Sequence, residues 1–300
     1  MPGSGTPPSW PSSTSTSWAC PGGGPTSSEV TTGAPVDRAA LLELATSAAR
    51  LAGAILLEGR RAGGITVAAT KSSPTDVVTA MDRAAERAIA AHLLAARPDD
   101  GLLGEEGDDR PGPSGVRWVI DPLDGTVNYL YDLPGWSVSI AAEAAGQTQV
   151  GVVLAPLAGE LFAASRGDGA TLDGVPIHCT AGVPLAQALV GTGFGYRSAR
   201  RAVQAEVLQA VLPQVRDIRR LGSAALDLCA VACGRLDGYY ERGLKPWDLA
   251  AGALIAEEAG AQVGGLAGAP PSTAFVLAAA PDLFAALHQL LVPLRPDRDA

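Results

Sequence analysis

Three separated segments of this 300-residue chain set carboxylates beside glycines and turn-forming residues. They are Leu103-Gly104-Glu105-Glu106-Gly107, then Trp118-Val119-Ile120-Asp121-Pro122-Leu123-Asp124-Gly125-Thr126-Val127-Asn128, then Lys245-Pro246-Trp247-Asp248-Leu249-Ala250-Ala251-Gly252. The second says the most. An apolar strand runs straight into Asp121, and Pro122 cannot continue a ladder, so the chain is expected to leave the sheet there. Asp121 and Asp124 then flank a turn that can aim both carboxylates at one point. Gly125 lets the backbone approach a ligand closely. The amides of Gly125 and Thr126 would open a short helix, where free N–H groups cradle phosphate.

Oxygen-only ligands suit Mg²⁺. Glu105, Asp121, Asp124 and Asp248 carry about four negative charges, enough for about two Mg²⁺ ions and a nearly neutral site that a dianionic phosphate can enter. Without metal the same cluster repels that substrate. Each piece has a plainer reading by itself. Glu105 and Glu106 fit a solvated loop, Asp-Pro-Leu-Asp-Gly a turn, Asp248 the N-cap of a helix over 249–259, and Asp82 the capping-box partner of Thr79. The three acidic segments together, in this order, outweigh those separate readings.

The elements that must position these groups follow from periodicity. Helical spacing of apolar residues predicts helices over 37–60, with Asp37 as N-cap, and over 79–97, ended by Pro98. Short β-like runs over 117–120, 136–142, 149–155 and 160–164 predict a largely antiparallel sheet. From about residue 184 strands (188–191, 215–219, 236–240, 274–279) alternate with helices (199–212, 223–233, 247–259, 282–291), an α/β rhythm. The expected organisation is a disordered tail over 1–36, an α+β subdomain over 37–182 and an α/β subdomain over 183–295. The tail is rich in Ser, Thr, Pro and Gly and does not look like a signal peptide. A misplaced start codon is the other reading of it.

The net charge of −9 argues against a nucleic-acid partner. No apolar run reaches the ~20 residues of a membrane span. Cys20, Cys179, Cys229 and Cys233 form no CxxC pair, so a reduced cytoplasmic setting is expected. His92, His178 and His288 lie far apart and give no support to zinc. There is no GxxxxGK[ST] phosphate loop, and Gly191-Thr192-Gly193-Phe194-Gly195 lacks the third glycine of a dinucleotide fingerprint, so a tight turn explains it better.

The sequence resembles the inositol monophosphatase family. The matches are Gly104-Glu105-Glu106, Asp121 to Asn128, and Trp247 to Gly252. Lys71 to Asp76 with Thr79 to Asp82, Arg220 to Ala225, and Tyr239-Tyr240-Glu241 complete the set. The resemblance runs from about residue 37 to 292. It implies a layered αβαβα sandwich, usually a homodimer, activated by Mg²⁺ and inhibited by Li⁺. By resemblance Glu105, Asp121 and the Leu123 carbonyl hold one metal, and Asp121, Asp124 and Asp248 a second. A third would lean on Glu105. The amides of Gly125 and Thr126 hold the phosphate, Asp124 and Asp248 also count among the substrate-binding residues, Thr126 paired with Asp82 orients the attacking water, and Glu241, Gly222, Ser223 and Ala224 face the alcohol. The substrate it implies is inositol 1-phosphate. Arg242 and Lys245 add positive charge near the alcohol side and keep fructose-1,6-bisphosphate, histidinol phosphate and 3′-phosphoadenosine 5′-phosphate open. A regulatory partner of the RNA or transcription machinery is a third reading, because some bacterial relatives have been given such roles.

Overall fold

Apolar residues on both faces of the long strands require a helical layer on each side. In the computed structural model, which describes residues 36–62, 67–70, 77–107 and 109–299, that requirement builds five layers. Nearly all of the expected tail, and the signature segment 71–76, lie outside the described residues. The helices are α1 (Arg38–Ala62), α2 (Ala80–Ala96), α3 (Thr126–Leu130), α4 (Ser198–Val211), α5 (Ala224–Ala232), α6 (Pro246–Glu258) and α7 (Pro281–Leu291).

Strands β1 (Val67–Thr70) and β2 (Val77–Thr79) form an antiparallel pair. The large sheet comprises β3 (Gly101–Gly104), β4 (Asp109–Arg110), β5 (Val116–Asp124), β6 (Ser137–Ala144), β7 (Gln147–Ala155), β8 (Glu160–Ser165), β9 (Gly169–Leu172) and β10 (Val175–Pro176). Its order is β10-β9-β8-β7-β6-β5-β3-β4, antiparallel except where β3 runs parallel to β5. The second sheet holds β11 (Leu189–Thr192), β12 (Asp217–Arg219), β13 (Gly238–Glu241), β14 (Gln262–Gly264) and β15 (Val276–Ala279). Its order is β12-β11-β13-β15-β14, with parallel pairs around β11 and antiparallel pairs around β15.

Alternation along single strands assigns the layers. Trp118 and Ile120 of β5 join the core with Leu41, Ala45 and Leu56 of α1 and Ile89 and Leu93 of α2. Val119, between them, joins Leu228 of α5, Leu254 and Ile255 of α6, and Tyr239 and Val276 of the second sheet. Tyr240 and Leu277 face the other way, into Val207 and Val211 of α4 and Leu283 and Leu287 of α7. The result is the αβαβα sandwich. By length and composition α1 would suit a membrane, but its apolar face is part of the first core.

Local signals held well. Asp37 accepts from the Ala40 amide at 3.1 Å, and Thr79 and Asp82 form the capping box of α2. Two expectations need correction. The chain does not leave the sheet at Pro122: β5 continues to Asp124, and the pairing with β6 slips between Asp121 and Asp124. An irregularity of this kind is where a ladder tolerates proline. Nor does Asp248 cap α6. The helix begins at Pro246, and the Asp248 carboxylate reaches back one turn to the Lys245 amide at 2.6 Å.

Asp100, 1% exposed, ties α2 to the large sheet. It accepts from Trp118 Nε1 at 2.8 Å, Ser114 Oγ at 2.6 Å and Arg97 Nε at 2.5 Å. Asp100→Ala strips the buried indole N–H of its acceptor and is expected to destabilise by about 2–3 kcal/mol, read as a lower midpoint in urea unfolding.

Candidate active site

The β3–β5 pairing brings the first two acidic segments together. Gly104 lies opposite Ile120, and the Glu105 amide then donates to the Ile120 carbonyl at 3.2 Å, so Glu105 comes level with Asp121. The slip after Asp121 moves Asp124 opposite Ser137. Gly125 takes φ +95°, a left-handed conformation that favours glycine, and a side chain there would meet the Gly135 carbonyl at 2.9 Å. That turn starts α3, with Thr126 as its first residue.

Strand β6 recruits the two later helices. Ser139 Oγ donates to the Trp247 carbonyl at 3.2 Å, fixing the start of α6 and with it Asp248. Ser137 Oγ lies 3.1 Å from Ser223 Oγ, at the N-cap of α5. Ser223 Oγ and the Ala225 amide both donate to Asp124 Oδ2, at 2.6 and 2.8 Å. The Leu123 amide donates to Asp121 Oδ1 at 3.0 Å. Asp121 and Asp248 thus each have one oxygen held by a nearby amide, and Asp124 has one held from the start of α5.

Asp121, Asp124 and Asp248 each offer an oxygen, and these oxygens all lie within 4.8 Å of one another. Among the described residues no arginine or lysine forms an ion pair with any of the three. Burial raises the Asp121 carboxyl well above its usual range, and Glu105, Asp124 and Asp248 push it further. Asp248 is raised in the same way by burial and then by Asp124 and Glu105. For Asp124, burial outweighs the donors on Oδ2. Crowded acids without a cation keep protons; a hard divalent ion replaces those protons and matches an all-oxygen donor set. The residues present thus fit a metal.

Behind this cluster, Thr126 Oγ1 lies 3.1 Å from both Asp82 Oδ1 and the Leu123 carbonyl. Asp82 is buried, which raises its carboxyl to about 6 against the hydrogen bonds from Thr79. In front, a cavity of about 480 Å³ is lined by Glu105, Asp124, Asp248, Gly222, Ser223, Ala224 and Glu241. Asp121, Leu123, Gly125, Thr126 and Asp82 are not part of that lining. Glu241 ends β13 and accepts from the Tyr239 hydroxyl at 2.5 Å; burial lifts it to about 7. Arg197, Arg200, Arg220, Arg242 and Lys245 also border the cavity.

A sequence model of the inositol monophosphatase family matches residues 37–296. The chain belongs to this family. Among curated relatives, the inositol-1-monophosphatase SuhB of Mycobacterium tuberculosis is 52% identical over 202 residues, 64% of this chain and 70% of that protein. The Nus factor SuhB of Pasteurella multocida is 43% identical over 227 residues, covering 74% and 84%. The crystal structure of extragenic suppressor protein suhB from Bartonella henselae superposes with a TM-score of 0.80 at 35% identity, covering 84% of this chain and 98% of that one. The αβαβα fold and phosphatase chemistry are those of the family.

Sequence reading overlooked three groups here. Glu86, 2% exposed, accepts from the Glu106 amide at 2.8 Å. Asp227 and Arg200 line or border the cavity. Asp227 carried a usable signal, being the one acid in an otherwise apolar helix, whereas nothing local marks Arg200 among its neighbouring arginines. The glycines at 191 and 193 are also re-read. They serve close packing and not a tight turn: a Cβ at Gly191 would lie 2.8 Å from Leu236 Cδ1, and one at Gly193 would fall 1.9 Å from Glu241 Oε2.

Proposed function

We propose that this chain is a Mg²⁺-dependent phosphomonoesterase whose substrate is inositol 1-phosphate. The observation that carries the reading is the meeting of Asp121, Asp124 and Asp248, none of them in an ion pair with arginine or lysine among the described residues, beside a cavity that also presents Glu241. Glu105, Asp121 and the Leu123 carbonyl would hold one Mg²⁺, and Asp121, Asp124 and Asp248 a second, with Glu105 available to a third. The chemistry supplied by bound Mg²⁺ is a water acidified for attack and neutralisation of charge on the phosphoryl and leaving oxygens.

The protein's own groups do the rest. Asp82 holds the Thr126 hydroxyl by a hydrogen bond, so a lone pair on Thr126 Oγ1 is set to accept from the attacking water and orient it. The raised Asp82 carboxyl, at about 6, is suited to take up the proton relayed through Thr126 near neutral pH. The amides of Gly125 and Thr126 offer hydrogen bonds to the phosphoryl oxygens. Glu241 accepts from hydroxyls of the alcohol, aided by Gly222, Ser223 and Ala224 along the wall. No covalent intermediate with the enzyme is needed. A cytoplasmic homodimer inhibited by Li⁺ accompanies this reading.

The test is phosphate release with Mg²⁺ from inositol 1-phosphate, fructose-1,6-bisphosphate, histidinol phosphate and 3′-phosphoadenosine 5′-phosphate. The highest kcat/KM is expected for inositol 1-phosphate, and no release from any ester at millimolar concentration would defeat the proposal. Gly193→Ala adds a methyl where the Glu241 carboxylate lies, and that flexible end must swing away. It is expected to raise KM for inositol 1-phosphate about tenfold with kcat little changed, measured by steady-state kinetics.

A second reading, hydrolysis of a bisphosphate, is favoured by the cationic border, though not through Arg242. That guanidinium is taken up by the Asp299 carboxylate at 2.7 Å and by the Arg298 carbonyl. Arg200, with no hydrogen bond or ion pair among the described residues, is the better candidate for a second phosphate. The transcriptional reading is supported by the name of the Pasteurella multocida relative. A cellular role that survives Asp121→Asn would favour it.

A further inference from the structure

Helix α5 is apolar along its length except for Asp227, and Asp227 is 1% exposed. Its Oδ1 has no hydrogen-bond partner among the described residues, yet the residue lines the cavity. Its place in the first turn of α5 brings some help from the helix N-terminus. That help is smaller than the cost of leaving a buried carboxyl oxygen unpartnered. A partner from the cavity would remove the deficit.

The position of Asp227 relative to Glu241 follows from β11 and the residue beyond it. A Cβ at Gly191 would lie 3.5 Å from Asp227 Oδ1, and one at Gly193 would strike Glu241 Oε2. Residues two apart on extended chain face the same way, about 7 Å from each other. Two carboxyls therefore stand side by side over glycines that leave them room. The charged groups that act on Asp227 are Glu241, Asp124 and Arg220.

We propose that Asp227 is a substrate-positioning residue that accepts a hydrogen bond from a hydroxyl of the alcohol, beside the one Glu241 accepts, and so selects polyhydroxylated leaving groups. This rests on the phosphomonoesterase reading above. Two adjacent carboxyls, held partly protonated by burial and by neighbouring acids, still accept from hydroxyls and offer no positive charge to a second anion. The floor of the cavity thus suits a polyol ring, and the arginines at its border do not change what the floor accepts. A site built to pair hydroxyls discriminates sharply against alcohols that lack them.

Asp227→Asn keeps the volume and removes the carboxylate. Its effect is read as the kinetics of inositol 1-phosphate and of p-nitrophenyl phosphate, whose leaving group carries no further hydroxyl, and as calorimetric titration with myo-inositol in the presence of Mg²⁺ and inorganic phosphate. The variant is expected to raise KM for inositol 1-phosphate about tenfold or more. It is expected to weaken myo-inositol binding alike, and to leave kcat/KM for p-nitrophenyl phosphate within about twofold. A matched loss for both esters means a structural or general catalytic role and overturns the proposal. Unchanged KM and unchanged myo-inositol binding overturn it too. If the wild-type protein cleaves neither ester, the phosphatase reading fails, and the myo-inositol titration of Asp227→Asn against wild type decides the role of Asp227 alone. Should the asparagine variant fold poorly, Asp227→Ser is subjected to the same titration.

Discussion

Asp121→Asn is expected to lower kcat/KM for inositol 1-phosphate by about 10³-fold while leaving the fold intact. Asp121 is 1% exposed, and its carboxyl is pushed up by burial and then by Glu105, Asp124 and Asp248. The substitution is nearly isosteric and keeps Oδ1 as acceptor for the Leu123 amide. It removes one member of a buried, crowded set of acids, so without metal the variant should melt at or above the wild-type temperature. A large loss of activity with undiminished stability separates a ligand of the reaction centre from a packing residue. Loss of both together, in thermal melts run beside the assay, would mean that Asp121 holds the structure and not the metal.

Millimolar Mg²⁺ is expected to raise the melting temperature by about 5–10 °C, the shift for a ligand well above its Kd in a domain of this size. The rise should grow with pH. In the metal-free protein Asp82 and Glu241 hold protons up to about 6 and about 7, against 3.8 and 4.5 for the same groups in open solvent. An acid raised on folding favours the folded state most at low pH, and that contribution is lost as pH climbs through the folded value. With EDTA the melting temperature should therefore fall from about pH 4 to about pH 7, the last part of that fall lying between pH 6 and pH 7. Mg²⁺ supplies positive charge at the neighbouring carboxylates without needing those protons, so its effect should be greatest at pH 8. A scanning-calorimetry series at pH 6, 7 and 8, with EDTA or Mg²⁺, checks this. A melting temperature indifferent to Mg²⁺ at pH 8 would contradict the metal reading.

Much of the architecture was legible because its signals are local. Asp37, Thr79 and Asp82 announce their helices within one turn, and the apolar period of α1, α2 and α7 fixes which faces are buried. That Asp121, Asp124 and Asp248 would meet, with Glu105 on the cavity beside them, was legible through their motifs. The means of convergence was not. Strand β3, which delivers Glu105, is four residues long and has no alternation to read. Pro122 suggested an exit from the sheet, but a pairing slip accommodates it. The serine contacts that bind β6 to α5 and α6 join residues about a hundred positions apart. Arg242 looked available until the Arg298 carbonyl and the Asp299 carboxylate were found against it, a contact that no local pattern records. Asp227 was hidden in the opposite way, because a single acid in an apolar helix reads as a defect until the cavity beside it is known.

The most direct measurement is an anomalous difference map from crystals grown with Mn²⁺ in place of Mg²⁺ and soaked with inorganic phosphate. The account predicts strong peaks among Glu105, Asp121, Asp124 and Asp248, with phosphate density between them and the amides of Gly125 and Thr126. Bare carboxylates at saturating Mn²⁺, or ions bound only elsewhere on the surface, would contradict it.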